Sequence, residues 1–218
     1  MNQLAIPPIQ PAHSLLEQLH DPYFTQKVPV SRQLVGMDRV SALVQLCAGR
    51  RVLHVGCVDS PIFDPANNLH LQLLRSGQCA RLVGVDLDAA GIAELGKHCD
   101  QPLYTTLADV NEPFDVVLVP EVIEHVGNLA MFLEELDRID FTNIIITVPD
   151  AVQCHTNHFD FSERDEMFVE VVHPDHNYWF SPYTLLNVVK KYTSWHPKGM
   201  FFFNKISLLM IASKRAPE

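Results

Sequence analysis

The sequence predicts an α/β fold: a mostly parallel sheet of seven strands, with helices on both faces and an antiparallel hairpin at the C-terminus. Three observations carry this. First, short unbroken apolar runs recur along the chain, namely Val52-Leu53-His54-Val55, Leu82-Val83-Gly84-Val85, Val116-Val117-Leu118-Val119 and Ile144-Ile145-Ile146-Thr147-Val148. They lack the in–out alternation of a half-exposed strand, so both of their faces are covered. Second, segments with helical spacing of apolar residues separate these runs, and that order implies right-handed crossovers and parallel pairing. Third, two β-rich runs close the chain, split by the polar pair Asn204-Lys205.

The elements follow in order. Residues 1–34 form an arm carrying Pro7, Pro8, Pro11, Pro22 and Pro29, with one short helix expected over 14–19, where Ser14 caps and Glu17 stands three residues on. Residues 35–218 form a single domain. Val35, Val40, Leu43, Val44 and Leu46 predict a helix over 35–47. A strand over 50–56 ends at Gly56. A proline-containing turn then leads to a helix over 69–74. A second strand, 81–86, ends at Asp86, and a helix follows over 89–98. A weak strand is expected near 102–106 and a strong one over 115–119. Phe132, Leu133 and Leu136 share one face of a helix over 129–139, and the strand 143–148 stops at Pro149. Residues 150–181 read as an insertion rich in His, Asp, Asn and Phe. Ser181-Pro182 opens a helix running to Tyr192, with proline in its first turn. Strands over 199–203 and 206–213 complete the chain.

The bulk numbers bound the function. A chain of 218 residues, 47% of them apolar, holds enough core for one domain with an appendage. Sixteen Lys and Arg against 26 Asp and Glu give a net charge of −10. A broad nucleic-acid surface needs clustered cations and is therefore disfavoured. No apolar run reaches membrane-spanning length, and Met1-Asn2-Gln3-Leu4 begins no secretory signal. Five cysteines (Cys47, Cys57, Cys79, Cys99 and Cys154), none in a Cys-x-x-Cys pair, suit a reduced, cytoplasmic protein with mostly buried thiols.

A strand ending in glycine, followed by a strand ending in Asp, is a nucleoside-binding arrangement. The glycine admits a ligand to the backbone, and the carboxylate accepts from ribose hydroxyls. Dinucleotides also need several glycines, so that a pyrophosphate can rest on a helix N-terminus. Here the turn is Gly56-Cys57-Val58-Asp59-Ser60-Pro61, with one glycine and an acid that repels phosphate. A sulfonium ligand suits that turn better. The third feature is Pro120-Glu121-Val122-Ile123-Glu124-His125, straight after a buried strand and so at the edge where open α/β sheets bind ligands.

These motifs, with Gly84-Val85-Asp86-Leu87-Asp88, Ala108-Asp109 and Phe114-Asp115-Val116-Val117 between them, stand in the order of a known family. Over roughly residues 35–213 the chain resembles the class I S-adenosylmethionine-dependent methyltransferases, with their Rossmann-like sheet and reversed last strand. The resemblance implies S-adenosylmethionine as cofactor. Gly56, Cys57 and Asp59 would pass beneath its methionine part. Asp86 would hold the ribose, with Leu87 against the adenine and Asp109 and Val110 at the adenine edge. Pro120 and Glu121 would flank the sulfonium. The segment before the helix at 182 would close over the acceptor as a lid. The chain departs from the pattern at His54, where an acid is common, and in its missing second and third glycines.

Glu121, Glu124 and His125 fall at i, i+3 and i+4 and would share a face if a helical turn followed the strand. Downstream stands His173-Pro174-Asp175-His176. Three readings compete. His125, His173 or His176 acts as general base toward an acceptor hydroxyl. Alternatively Glu121, Glu124, His125 and one of His173 or His176 bind Mg or Mn, a pattern similar to small-RNA 3′-end 2′-O-methyltransferases and partly to ubiquinone-pathway O-methyltransferases. Or Glu124 and His125 are structural. Tyr178-Trp179-Phe180 packs under the lid or stacks on an acceptor ring or sugar.

The expected function is methyl transfer to a small acceptor, a hydroxyl oxygen of a sugar, glycan precursor or other metabolite. The sugar preference rests on likeness to polysaccharide-associated methyltransferases. The alternatives are a non-catalytic binding or scaffold protein of this fold and, more weakly, a dinucleotide-dependent oxidoreductase. A homodimer is compatible with the sequence, and the acceptor and oligomeric state are not legible in it.

Overall fold

The computed structural model describes residues 26–215. The helix expected over 14–19 lies outside them. Six helices and nine strands are present among the described residues: α1 (Arg39–Cys47), β1 (Arg51–Val55), α2 (Leu69–Ser76), β2 (Arg81–Val85), α3 (Ala89–Leu95), β3 (Leu103–Tyr104), β4 (Phe114–Pro120), α4 (Leu129–Arg138), β5 (Phe141–Pro149), α5 (Ala151–His158), β6 (Phe159–Ser162), β7 (Met167–Glu170), α6 (Pro182–Tyr192), β8 (His196–Phe203) and β9 (Ser207–Ser213). Seven strands form one sheet in the order β3-β2-β1-β4-β5-β9-β8. β1 to β5 pair in parallel, and β9 runs antiparallel to both of its neighbours. The expected Rossmann-like sheet with its reversed last strand is borne out.

Period-two side-chain alternation divides the core into two layers. Leu53, Val55, Val117, Val119, Ile144 and Ile146 face α4 and α6. Val52, Val116, Leu118 and Ile145 face α1 and α2 on the other side. Both layers are buried, which is why the strand sequences do not alternate.

Helix starts follow their caps. The helix expected from residue 35 begins only at Arg39, because the Asp38 carboxylate accepts from Ser41 N and fixes the first turn there. Asn68, Asp88, Asn128 and Ser181 do the same for α2, α3, α4 and α6. Before α1 the chain is stitched to the far edge of the sheet. Ser31 N donates to Met200 O, Phe202 N donates to Ser31 O, and Leu34 is fully buried.

The insertion is more ordered than its composition suggests. Asp150 caps α5, and β6 and β7 then pair as a separate two-stranded sheet. These strands were not legible because the ribbon exposes Phe161, Met167 and Phe168 instead of burying one face.

One buried pair makes the fold acid-sensitive. His54 of β1 and His70 of α2 are essentially unexposed, stack with ring centroids 5.4 Å apart, and place their Nδ1 atoms 3.3 Å apart. One Nδ1 must donate and the other accept, so the accepting ring is neutral and the two cannot both be charged. Burial lowers the pKa of His70 to about 4 and that of His54 well below its ordinary value, the latter helped by its neighbour. In the unfolded chain both titrate near pH 6.5. Their contribution is therefore intact above pH 6.5 and is lost as pH falls from there toward 4. At pH 5 each is expected to destabilise the fold by about 2 kcal/mol relative to pH 7. Urea midpoints at the two pH values check this, and equal midpoints would contradict it.

Candidate functional site

Gly56 ends β1 with φ +75°, and its N–H donates to Val85 O. A Cβ there would stand 2.5 Å from a methyl carbon of Val122, so the position needs glycine for space as well as for conformation. This puts the first turn directly against the segment after β4. Gly56→Ala is expected to destabilise the fold by about 1–3 kcal/mol. Thermal unfolding reads this, and an unchanged midpoint would contradict the packing.

The turn after Gly56 is held from two directions. Asp86 accepts from Val58 N and Asp88 N, both at 3.0 Å, so one carboxylate ties the first turn to the second. Asp59 adopts φ +62° and accepts from Asn68 Nδ2 and Leu69 N, which anchors the turn to the start of α2. Cys57 stands between these two anchors. Its thiol is buried among Val58, Leu71 and Leu95, and burial pushes its pKa up, so it can offer a ligand only its main chain. Leu87, next to Asp86, is 89% exposed, a large apolar side chain with nothing over it. Asp109 ends a short 3-10 turn, Leu107–Asp109, and is exposed, whereas Val110 is buried in the core.

The segment after β4 is tightly turned, so the condition of a helical turn there is not met. Pro120 is buried at the strand end, Glu121 takes φ +55°, and His125 N donates to Val122 O. A non-glycine residue in that conformation is strained and persists only where its surroundings hold it. Here Glu121 N donates to Thr147 O, and Thr147 Oγ1 donates to Glu121 Oε1 at 2.7 Å. The turn sends Glu124 inward, fully buried, with no hydrogen-bond donor to either oxygen among the described residues. Burial raises both pKa values; the Glu121 charge raises Glu124 further, and Thr147 and then Arg39 pull Glu121 back. The two carboxyls cannot comfortably ionise together.

His125 stands in a cluster of imidazoles. A strap over 173–180 crosses the turn, with Asn177 N donating to Glu124 O and Asn177 Nδ2 donating to His125 O. This brings His173 and His176 edge-on to His125, with centroids 5.2 and 4.6 Å away. His176 Nδ1 is buried without a partner, and its pKa is lowered to about 4 by burial and then by the two other imidazoles. His125 is lowered too, first by burial and then by His173. His173 is engaged otherwise, because its Nδ1 accepts from Asp175 N. Ligand-capable atoms of Glu124, His125 and His176 lie within 4.8 Å of one another. Of the two histidines left open for a cation set, His176 joins the group, while Glu121, also expected in it, lies outside and is bonded to Thr147.

Arg39 was missed by sequence reasoning. α1 runs antiparallel to β1, so its first residue stands at the same sheet edge as Gly56 and Glu121. The Arg39 charge is felt at Asp59, Glu121 and Glu124. The available signal was its place at the head of the helix before the first strand.

No protein-family model matches the chain. It is 31% identical over 105 residues to the ubiquinone biosynthesis O-methyltransferase of Nitrobacter winogradskyi, covering 44% of this chain and 37% of that one. It is 34% identical over 109 residues to the protein of that name from Azorhizobium caulinodans, covering 46% and 40%. The matched stretch thus spans about two fifths of each relative's length. Among solved structures, the magnesium protoporphyrin IX methyltransferase of Synechocystis PCC 6803 with bound SAH aligns over 81% of this chain and 82% of its own, with TM-score 0.56 and 14% identity. An S-adenosylmethionine-dependent methyltransferase from Mesorhizobium loti aligns over 80% and 95%, with TM-score 0.52 and 11% identity. The chain has the class I methyltransferase fold. Open α/β sheets bind ligands outside the carboxyl ends of their strands, and Gly56, Asp86 and Glu121 follow the carboxyl ends of β1, β2 and β4. Among the described residues, no helix of this methyltransferase fold is long and apolar enough to cross a membrane.

Proposed function

We propose that this chain transfers the methyl group of S-adenosylmethionine to a hydroxyl oxygen of a small acceptor. One observation carries the reading: a single-glycine, acid-rich sheet edge that suits a sulfonium and repels phosphate faces two neutral imidazoles, His125 and His176. The relatives' name, with its O-methyltransferase, supports oxygen as the atom methylated. Asp86 holds the ribose hydroxyls, the exposed Leu87 covers the adenine, and the backbone from Gly56 to Asp59 lies under the amino-acid part. Arg39 pairs with the carboxylate of that part, the one negative group a sulfonium amino acid brings to an acidic edge.

The reaction is an in-line displacement. A lone pair of the acceptor oxygen attacks the methyl carbon, the carbon–sulfur bond breaks, and its electrons stay on sulfur. The hydroxyl proton passes to a neutral imidazole of the cluster, His125 or His176. The fold supplies mainly alignment and this proton acceptor.

A second reading is favoured by the closeness of Glu124, His125 and His176. A buried unpartnered carboxyl and two neutral imidazoles fit a divalent cation, Mg or Mn, which would polarise the acceptor oxygen when bound. The test of both is transfer of a labelled methyl group to phenols, catechols and free sugars, with and without chelator. Transfer to at least one hydroxyl class is expected. Cofactor binding with no transfer to any of them would favour the scaffold alternative, and activity indifferent to chelator removes the cation.

A further inference from the structure

The turn after Gly56 has no further glycine through Ser60, yet it bends sharply, with Asp59 at φ +62°. A non-glycine residue in that conformation persists only where its neighbours fix it. Asp86 fixes one side of the turn. On the other side stands Asn68, which is 1% exposed. Its Oδ1 accepts from Leu71 N at 2.9 Å, which caps α2 and settles which end of the amide is which. Its Nδ2 therefore faces the turn, 2.9 Å from Cys57 O, 3.3 Å from Val58 O and 3.0 Å from Asp59 Oδ2. One side chain thus takes hold of three consecutive residues.

Capping alone does not require this. Asn128 caps α4 in the same way, with Oδ1 accepting from Met131 N, and it does so while exposed. What sets Asn68 apart is its burial and the use of its amide nitrogen.

Those contacts decide which way the turn faces. A trans peptide unit points its N–H opposite to its C=O. With the carbonyls of Cys57 and Val58 drawn toward Asn68, the N–H groups of Val58 and Asp59 face away from it. The Val58 N–H accordingly donates to Asp86 Oδ2. The Asp59 N–H is set on that same side, where the cofactor is proposed to lie.

We infer that Asn68 is a positioning residue for the cofactor, presetting the glycine-poor turn so that the main chain of Val58 and Asp59 faces the ligand before it arrives. This rests on the methyl-transfer reading and adds to it a residue that belongs to none of the strand-end motifs.

The test titrates the full chain with S-adenosylhomocysteine by calorimetry, beside urea midpoints. Asn68→Ser keeps a capping oxygen for α2 and removes the reach to the turn. Asn68→Asp keeps the cap at unchanged size and sets a carboxylate against the oxygens of Cys57, Val58 and Asp59. Each is expected to weaken S-adenosylhomocysteine about tenfold, because the turn must then be ordered on binding. Adding Asp59→Asn to Asn68→Asp should regain about threefold, since an amide again meets a carboxylate across the turn. Val189→Ala truncates the core in the opposite layer and should lower the urea midpoint with affinity unchanged. Loss in both Asn68 variants with regain on Asp59→Asn supports the inference. Affinity within about twofold of the unaltered chain, loss without regain, or an equal loss in Val189→Ala overturns it. Should the Asn68 variants not fold, the side-chain NH₂ of Asn68 in the unaltered chain decides. Slow hydrogen exchange without ligand supports a preset turn, and fast exchange overturns it. Failure of the unaltered chain to bind S-adenosylhomocysteine strikes the methyl-transfer reading instead.

Discussion

Asp86→Ala is expected to weaken S-adenosylmethionine binding by about a hundredfold or more. A carboxylate accepting from both ribose hydroxyls makes two charge-assisted hydrogen bonds, each contributing about 1.5–3 kcal/mol. Losing both reaches that factor without further effects. There is a further effect here, since the same carboxylate holds Val58 N and Asp88 N and so shapes both turns proposed to meet the cofactor. Asp86→Asn should not rescue fully, because its amide would turn a donor toward one of those N–H groups. Denaturant midpoints separate loss of shape from loss of contact. Affinity changed by less than about threefold, against the two lost hydrogen bonds, would remove Asp86 from the cofactor site.

The second large effect belongs to the imidazoles. His176→Ala is expected to lower kcat by about 10²–10⁴-fold while cofactor affinity stays unchanged, the range typical of a positioned general base. Its pKa, lowered to about 4 by burial first and by His125 and His173 next, gives the sign of the pH profile. The neutral ring is the active form, so activity rises with pH through that lowered value and is flat from about pH 6 upward. An unperturbed histidine would instead place the limb near pH 6.5. A limb there, or an active His176→Ala, would shift the role to His125 or to a bound cation. His173→Ala should matter less, because His173 already bonds its own strap.

Much of this site was legible as sequence, and the reasons are physical. Gly56 and Asp86 stand at strand ends, and strands covered on both faces announce themselves as unbroken apolar runs. Their ends are then fixed to within a residue or two. The turn after β4 was harder. Spacing at i, i+3 and i+4 suggests a helical face, but Thr147, twenty-six residues away from Glu121, holds that residue at positive φ and turns Glu124 into the core. No local pattern encodes that. Likewise, sequence could not choose between His173 and His176. The choice was made by Asn177, whose two bonds to the turn after β4 set the register of the strap. Arg39 was invisible because its partners come from β1, β4 and their loops. The β6–β7 ribbon was missed because it buries little, so the periodicity that reveals strands was never imposed on it.

The central claim is that the carboxyl edge of this sheet holds S-adenosylmethionine. Calorimetric titration of the full chain tests it most directly, with NAD as the comparison ligand. One-site binding of S-adenosylmethionine in the micromolar range, with no heat from NAD, is the predicted result. The contrary result is the absence of binding at millimolar S-adenosylmethionine, or a preference for NAD over it.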